Sequence, residues 1–316
     1  MKWIACFLLL VAAPLYAERG AVTMELDWKP NVQFAGILLA KEKGWYAEAG
    51  LDVSVAAFDF KKDVVAAVAA SDHSVGSSES GALLQARAKG LRVKAVATMF
   101  QGSPLSFISL KSRGIVDVAA LNGKRIGVHS DAQKALDVIA AYNRISDFKA
   151  FPVETGYAMK ELKDGTVDAA QGYVIDEAVL LRLEGREIEL IQAADNGYAA
   201  YSQVFFVSEA FIAKHPEIIR KFLRVSFRGW KAALEDPGTT ARLVIEKYYP
   251  EGNLKYQTES LRQIGTLMRR ENPQIGQMRR ETWEAAGAMF RRYRIGQVPD
   301  SIDEVVDFRF LKAIYP

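Results

Sequence analysis

Between Val22 and about Ile191 the hydrophobic pattern keeps switching period, from short alternating runs to runs spaced every three or four residues. Such switching predicts strands separated by helices, and so a mainly parallel α/β sheet with helices on its faces. Val22, Met24 and Leu26 alternate with Thr23, Glu25 and Asp27 until Pro30 stops pairing. Asn31 can then cap a helix whose positions Phe34, Ile37 and Leu38 share a face and which ends at Gly44. Further strands are expected at Val53 to Val55, from Val75, at Val93 to Met99, at Arg125 to Val128, near Phe151, at Ala169 to Tyr173 and at Ile188 to Ile191. Glu79 to Lys89 and about Asp131 to Asn143 read as helices. After Val207 nearly everything to the C-terminus reads as helix, with Pro216 placed like a first-turn proline and Pro237, Pro250 and Pro273 as breaks.

Two extended stretches, Leu105 to Leu110 and Ser202 to Val207, flank the middle unit, as if the chain leaves one domain and later returns. They are the expected hinge segments. Domain one is expected at 18–107 plus 206–316 and domain two at 108–205. Residues 1–17 carry one charge at Lys2, an apolar run from Ile4 to Ala13 and then Pro14, Leu15, Tyr16 and Ala17 before Glu18, the pattern of a secretory signal peptide. The run is about half the roughly 20 residues that span a bilayer, so export rather than anchoring is expected.

Composition excludes several kinds of chemistry. The only cysteine is Cys6, so disulfides, thiolate metal sites and cysteine catalysis are excluded from everything that follows it. A formal charge of +3 on 316 residues gives no reason to expect nucleic acid as a partner. The three histidines, His73, His129 and His215, have no metal-ligand spacing, and no nucleophile motif is present; no metal and no cofactor are expected. The arginines between 269 and 294 fall in pairs on a helical region and read as a solvated face.

Ligands of open α/β sheets sit beyond the carboxyl ends of strands, so the loops there are the candidate site. Trp28, Asn31, Gln33 and Phe34 put rings and amides where the first strand gives way to a helix; the same rings also suit a core, and Asn31 also suits a plain cap. Gly76, Ser77 and Ser78 would let a ligand approach backbone. Tyr173 and Glu177 place a ring and a carboxylate after a later strand, and Tyr157 and Tyr201 are weaker additions. Asp131, after Gly127 and His129, would repel phosphate, and no nucleotide-loop spacing is present.

Leu26-Asp27-Trp28-Lys29-Pro30-Asn31, Lys43-Gly44-Trp45-Tyr46, Gly50-Leu51-Asp52-Val53 and Gly76-Ser77-Ser78 resemble the thiamine-pyrimidine branch of the periplasmic solute-binding proteins. Leu121-Asn122-Gly123-Lys124 and Gly165-Thr166-Val167-Asp168-Ala169 resemble elements shared with sulfonate, nitrate and aromatic-acid binders. The resemblance implies the type II periplasmic-binding fold, two α/β domains with two crossing segments and a ligand cleft between them. It further implies a periplasmic monomer that binds a small heterocycle, such as formylaminopyrimidine or hydroxymethylpyrimidine, and passes it to an ABC permease in the inner membrane. Trp28 and Asn31 would line one wall, with Ser77 and Ser78 beside them and Tyr173 and Glu177 opposite. Phe34 stands where such binders usually have histidine, and Pro30-Asn31-Val32-Gln33-Phe34-Ala35 is similar to riboflavin-binding relatives, which makes a flavin the alternative ligand. A second alternative is the related synthase activity, which builds the thiamine pyrimidine from pyridoxal phosphate and histidine with iron. Phe58 to Lys61, where the histidine donor would be sought, contains none.

Overall fold

Each of the two sheets contains one strand that runs against the others, and in both cases it is the strand that has just crossed from the other sheet. The computed structural model describes residues 20–129, 133–153, 159–269 and 274–315. In chain order the strands are β1 (Gly20–Glu25), β2 (Leu51–Val55), β3 (Ser74–Ser78), β4 (Val93–Phe100), β5 (Leu105–Leu110), β6 (Lys124–Val128), β7 (Phe148–Pro152), β8 (Ala169–Tyr173), β9 (Ile188–Gln192) and β10 (Ser202–Ser208). The first sheet has the order β2-β1-β3-β10-β4 and the second β7-β6-β8-β5-β9. β1 is parallel to β2 and β3, whereas β10 is antiparallel to β3 and β4. In the second sheet β6 is parallel to β7 and β8, whereas β5 is antiparallel to β8 and β9.

The register explains the reversal. Leu105, the first residue of β5, stands opposite Tyr173, the last of β8, and Ser202, the first of β10, stands opposite Phe100, the last of β4. The chain therefore crosses at the edge where the parallel strands end, so the returning strand has to run away from it. The turns between sheets are residues 101–104 and 193–201. The stretches expected as hinges are strands: Leu105–Leu110 pairs wholly in the second sheet and Ser202–Ser208 wholly in the first, a few residues from boundaries drawn at 107/108 and 205/206.

Every residue of β10 is buried, as expected for a central strand covered on both faces. The first lobe packs the helices Ala35–Glu42, Ser80–Ala88, Pro216–Glu235 and Leu254–Met268 around its sheet, and Pro237–Tyr248 packs on Ala35–Glu42 and Leu254–Met268. Pro216 and Pro237 each open a helix, and the Asp236 carboxylate accepts from the Thr239 N–H 3.1 Å away. His215 precedes Pro216 but makes no side-chain cap. The second sheet has two apolar faces. Phe107, Ile126, Ala169 and Ile191 meet the helix Gln133–Asn143 on one; Ile108, Val167 and Ala170 meet Leu162, Ala178 and Leu181 on the other. Arg125 at the start of β6 holds Asp168, just before β8, by a two-pronged ion pair of 2.8 and 3.0 Å. That guanidinium keeps the Asp168 carboxyl well below its ordinary value, at about 2.

Among the described residues no helix is long and apolar enough to cross a membrane. Residues 1–17, expected as a leader, lie outside the described residues.

Candidate binding cleft

The crossing turns place the ends of β1, β3, β6 and β8 around one cavity of about 460 Å³ between the two lobes. Its first-lobe wall includes Asp27, Trp28, Lys29, Gln33 and Phe60; its second-lobe wall includes His129, Tyr173, Ile175, Asp176 and Glu177. A larger hollow of about 560 Å³ lies on the first lobe around Ile212, Arg220 and Phe310, away from these strand ends. There Arg309 is already spent on Asp307, at 2.6 Å.

The loop after β1 owes its shape to two buried amides. Asn31 Oδ1 accepts from the Gln33 N–H at 2.8 Å, capping the short 3₁₀ turn Val32–Phe34, and the Val32 N–H donates to Gln257 Oε1 on the helix Leu254–Met268 at 3.2 Å. With the turn fixed, Trp28 and Gln33 face the cavity while Val32 and Phe34 turn into the core. Trp28 packs with Phe58 and Phe60 at ring-centre distances of 5.9 and 5.6 Å, and those two rings meet each other at 4.6 Å. Phe60 is 70% exposed, an aromatic lip over the cleft.

The opposite wall is built on the turn between β8 and the helix Glu177–Leu183. Glu177 Oε2 accepts from the Tyr173 N–H at 2.8 Å, closing the turn on itself. Burial, reinforced by the neighbouring Asp176 charge, pushes the Glu177 carboxyl up to about 7. Burial pushes Asp176 up to about 6, against a hydrogen bond from the Tyr256 hydroxyl at 2.8 Å. Across the cleft, burial also raises Asp27; Ser77 stands close enough to oppose the shift but outside hydrogen-bonding geometry. Glu79 is a fourth carboxyl, accepting from the Ser202 hydroxyl at 2.9 Å. His129 closes the second-lobe wall, its backbone N–H donating to Gln171 Oε1 at 2.9 Å. The cleft is a polar floor rich in acids between aromatic surfaces, suited to a flat solute that brings hydrogen-bond donors.

Of the residues expected at the site, Trp28, Gln33, Tyr173 and Glu177 line this cavity together. Asn31 is 5% exposed and spends its oxygen on the cap. Phe34 and Ser77 are fully enclosed, and Ser78 ends β3 beside Val204 of β10. Tyr201 packs against Trp283 in the core, and its hydroxyl accepts from the Arg279 N–H at 3.0 Å. Tyr157 lies outside the described residues. The stacking surface expected from Phe34 is offered instead by Phe60. Two cleft residues outside the expected set had a local signal, Asp176 adjoining Glu177 at a strand end and His129 directly following β6; Phe60 and Gln203 had none, because only the tertiary fold brings them to the cleft.

A family model described as "NMT1/THI5 like" matches residues 31–240. Riboflavin-binding protein RibY of Chloroflexus aurantiacus is 32% identical over 240 residues, covering 74% of this chain and 68% of that one. The formylaminopyrimidine-binding protein of Halalkalibacterium halodurans is 26% identical over 277 residues, covering 83% and 82%. A 4-amino-5-hydroxymethyl-2-methylpyrimidine phosphate synthase of Legionella pneumophila is 25% identical over 233 residues, covering 72% and 74%. In structure, a putative periplasmic sulfonate-binding protein SsuA of Methylobacillus flagellatus aligns over 94% of both chains with a TM-score of 0.70 at 15% identity. The two sheets and their crossings are therefore the type II periplasmic-binding fold, and the chain belongs to the NMT1/THI5-like family.

Proposed function

We propose that the protein is the extracytoplasmic solute-binding component of an ABC importer and that it captures a flat, donor-bearing heterocycle, a thiamine pyrimidine precursor such as formylaminopyrimidine or hydroxymethylpyrimidine. The observation that carries this reading is the meeting of Trp28 and Tyr173 with the Asp176 and Glu177 carboxyls in one interlobe cavity. A ring stacks on the aromatic surface while its exocyclic amine meets the acids. Glu177 Oε2 is committed to the Tyr173 N–H, which leaves Oε1 for the solute. Poised near 7, that oxygen accepts from an amine when ionised and donates to a ring nitrogen when protonated. Contacts from both walls to one solute favour the closed arrangement of the lobes, the form a permease partner would recognise. The protein acts as a monomer in this reading.

A flavin is the second reading, supported by the likeness to RibY and by the cavity's size, which falls within the roughly 300–1,000 Å³ of small-molecule sites and admits fused rings. A synthase is disfavoured on charge. Among the described lining residues Lys29 is the one lysine or arginine, beside the four carboxyls Asp27, Glu79, Asp176 and Glu177, a poor setting for the phosphate of pyridoxal phosphate. Among the described residues no three histidine, cysteine or acidic side chains converge as iron ligands. Melting the purified protein with formylaminopyrimidine, hydroxymethylpyrimidine, riboflavin, pyridoxal phosphate and taurine tests the reading, since a ligand of the native state raises the melting temperature. A rise with a pyrimidine supports thiamine salvage and a rise with riboflavin alone moves the protein to flavin uptake. A rise only with pyridoxal phosphate or taurine sinks both.

A further inference from the structure

Gln203 breaks two habits of a buried strand residue. It is 2% exposed near the start of β10, yet its φ is +52°, in the left-handed region that a residue with a side chain seldom adopts. Pairing continues on either side, Ser202 opposite Phe100 and Val204 opposite Thr98, so the turned residue is held within the sheet rather than at a frayed end. Its side chain lines the cleft, where Nε2 donates to the Gln33 carbonyl. That bond fixes which way the amide faces and leaves Oε1 as the remaining atom, buried and without a donor. Two strands along the same edge, Asp27 follows β1, also lines the cleft, and has a buried Oδ1 without a donor. Backbone strain and unmet acceptors each cost stability, and packing alone gives no reason for both to gather at one edge of one cavity.

We propose that Gln203 Oε1 and Asp27 Oδ1 are the acceptors by which the first lobe reads an N–H on the edge of the bound heterocycle, an exocyclic amine or a ring imide, with Gln203 the specificity-determining residue. The inference rests on the heterocycle reading above and deepens it: a primary amine has two N–H bonds, and where Glu177 of the second lobe takes one, the first-lobe acceptors take the other. A solute that meets this edge without an N–H leaves both acceptors unpaired. Sulfonates and nitrate, which bring only acceptors, are rejected for that reason.

Calorimetric titration of the purified protein with four probes tests this: formylaminopyrimidine and its 4-dimethylamino analogue, riboflavin and 3-methylriboflavin. Wild-type protein is expected to bind one parent roughly tenfold or more tightly than its methylated analogue. Gln203→Met, which keeps the bulk and removes the amide, is expected to weaken the parent about tenfold and leave the analogue unchanged, collapsing the discrimination. Gln203→Asn tolerates the left-handed backbone but is too short to present the same oxygen, so it gives the same collapse should the methionine variant fold poorly. Equal loss for parent and analogue, or discrimination that survives both variants, overturns the inference while the heterocycle reading stands. Failure of wild-type protein to bind either parent, together with no rise in melting temperature with hydroxymethylpyrimidine, overturns both.

Discussion

Gly229 lies directly against the backbone of Gly36: a Cβ at 229 would come within 2.0 Å of the Gly36 carbonyl oxygen, and one at 36 within 2.2 Å of the Trp230 ring. The helices Ala35–Glu42 and Pro216–Glu235 thus cross with almost nothing between them. The first of these helices continues directly from the 3₁₀ turn behind Trp28, so this contact seats one wall of the cleft. Gly229→Ala is expected to cost about 3 kcal/mol, because overpacking against rigid backbone exceeds the gain of about 1 kcal/mol in helix propensity. Chemical denaturation measures it, and unchanged stability would show that the crossing can relax.

Trp28 is held by Phe58 and Phe60 with its remaining surface toward the cavity. Trp28→Ala should cost about 1 to 3 kcal/mol of ligand affinity, the scale of a lost aromatic contact. Titration calorimetry with the ligand found by melting reads this directly. Affinity equal to wild type would remove Trp28 from the site.

Glu177→Gln keeps the shape of the side chain and removes its capacity for charge. It should weaken a ligand bearing an exocyclic amine more than the matching ligand without one, as read by paired titrations. Equal losses for the two ligands would refute the role given to this carboxyl.

The raised carboxyls in the cleft make stability depend on pH in a defined sense. Asp176 and Glu177 titrate near 6 and 7 in the native protein against ordinary values of 3.8 and 4.5, so between those limits the folded chain binds more protons than the unfolded one. Their stabilisation is therefore complete below about pH 4 and is lost as pH rises through 6 and 7. Asp168, lowered to about 2, acts oppositely and only at lower pH, losing its contribution as pH falls toward 2. Between pH 5 and pH 8 the melting temperature of ligand-free wild type should fall more steeply than that of an Asp176→Asn, Glu177→Gln double variant. Parallel slopes would contradict the burial of this pair.

Arg125, which follows Leu121-Asn122-Gly123-Lys124, and Asp168, within Gly165-Thr166-Val167-Asp168-Ala169, link two sequence elements that resemble those of binders of quite different solutes. The pair ties the start of β6 to the residue before β8 and touches no cleft residue, a structural reason for elements that carry no ligand information. Arg125 is 39% exposed, so solvent screening limits the loss in Asp168→Asn to about 1 kcal/mol, measurable by denaturation. Ligand affinity should not change; a large loss there would tie the pair to the site.

Much of this fold was legible because its signals are local. The alternation of Val22, Met24 and Leu26, the break at Pro30 and the stop at Gly44 give β1 and the helix after it, and Pro216 sits at the first turn of its helix. The extended stretches at 105 and 202 were visible, but not that each joins the sheet it is entering, since pairing partners roughly 60 to 130 residues away leave no mark on local periodicity. The site was legible only in part for a related reason. Trp28 and Glu177 declare themselves at strand ends, whereas whether Phe34 or Phe60 faces the cleft depends on a turn set by Gln257, more than 200 residues on. The strain at Gln203 is a property of the sheet and not of its neighbours in sequence.

The most direct test of the account is calorimetric titration of the purified wild-type protein with formylaminopyrimidine and, separately, with riboflavin. Saturable binding of one of these heterocycles at one molecule per chain is expected, with loss of affinity in Trp28→Ala. Absence of binding to both by a protein that melts cooperatively would contradict the assignment of this cleft to flat, donor-bearing heterocycles.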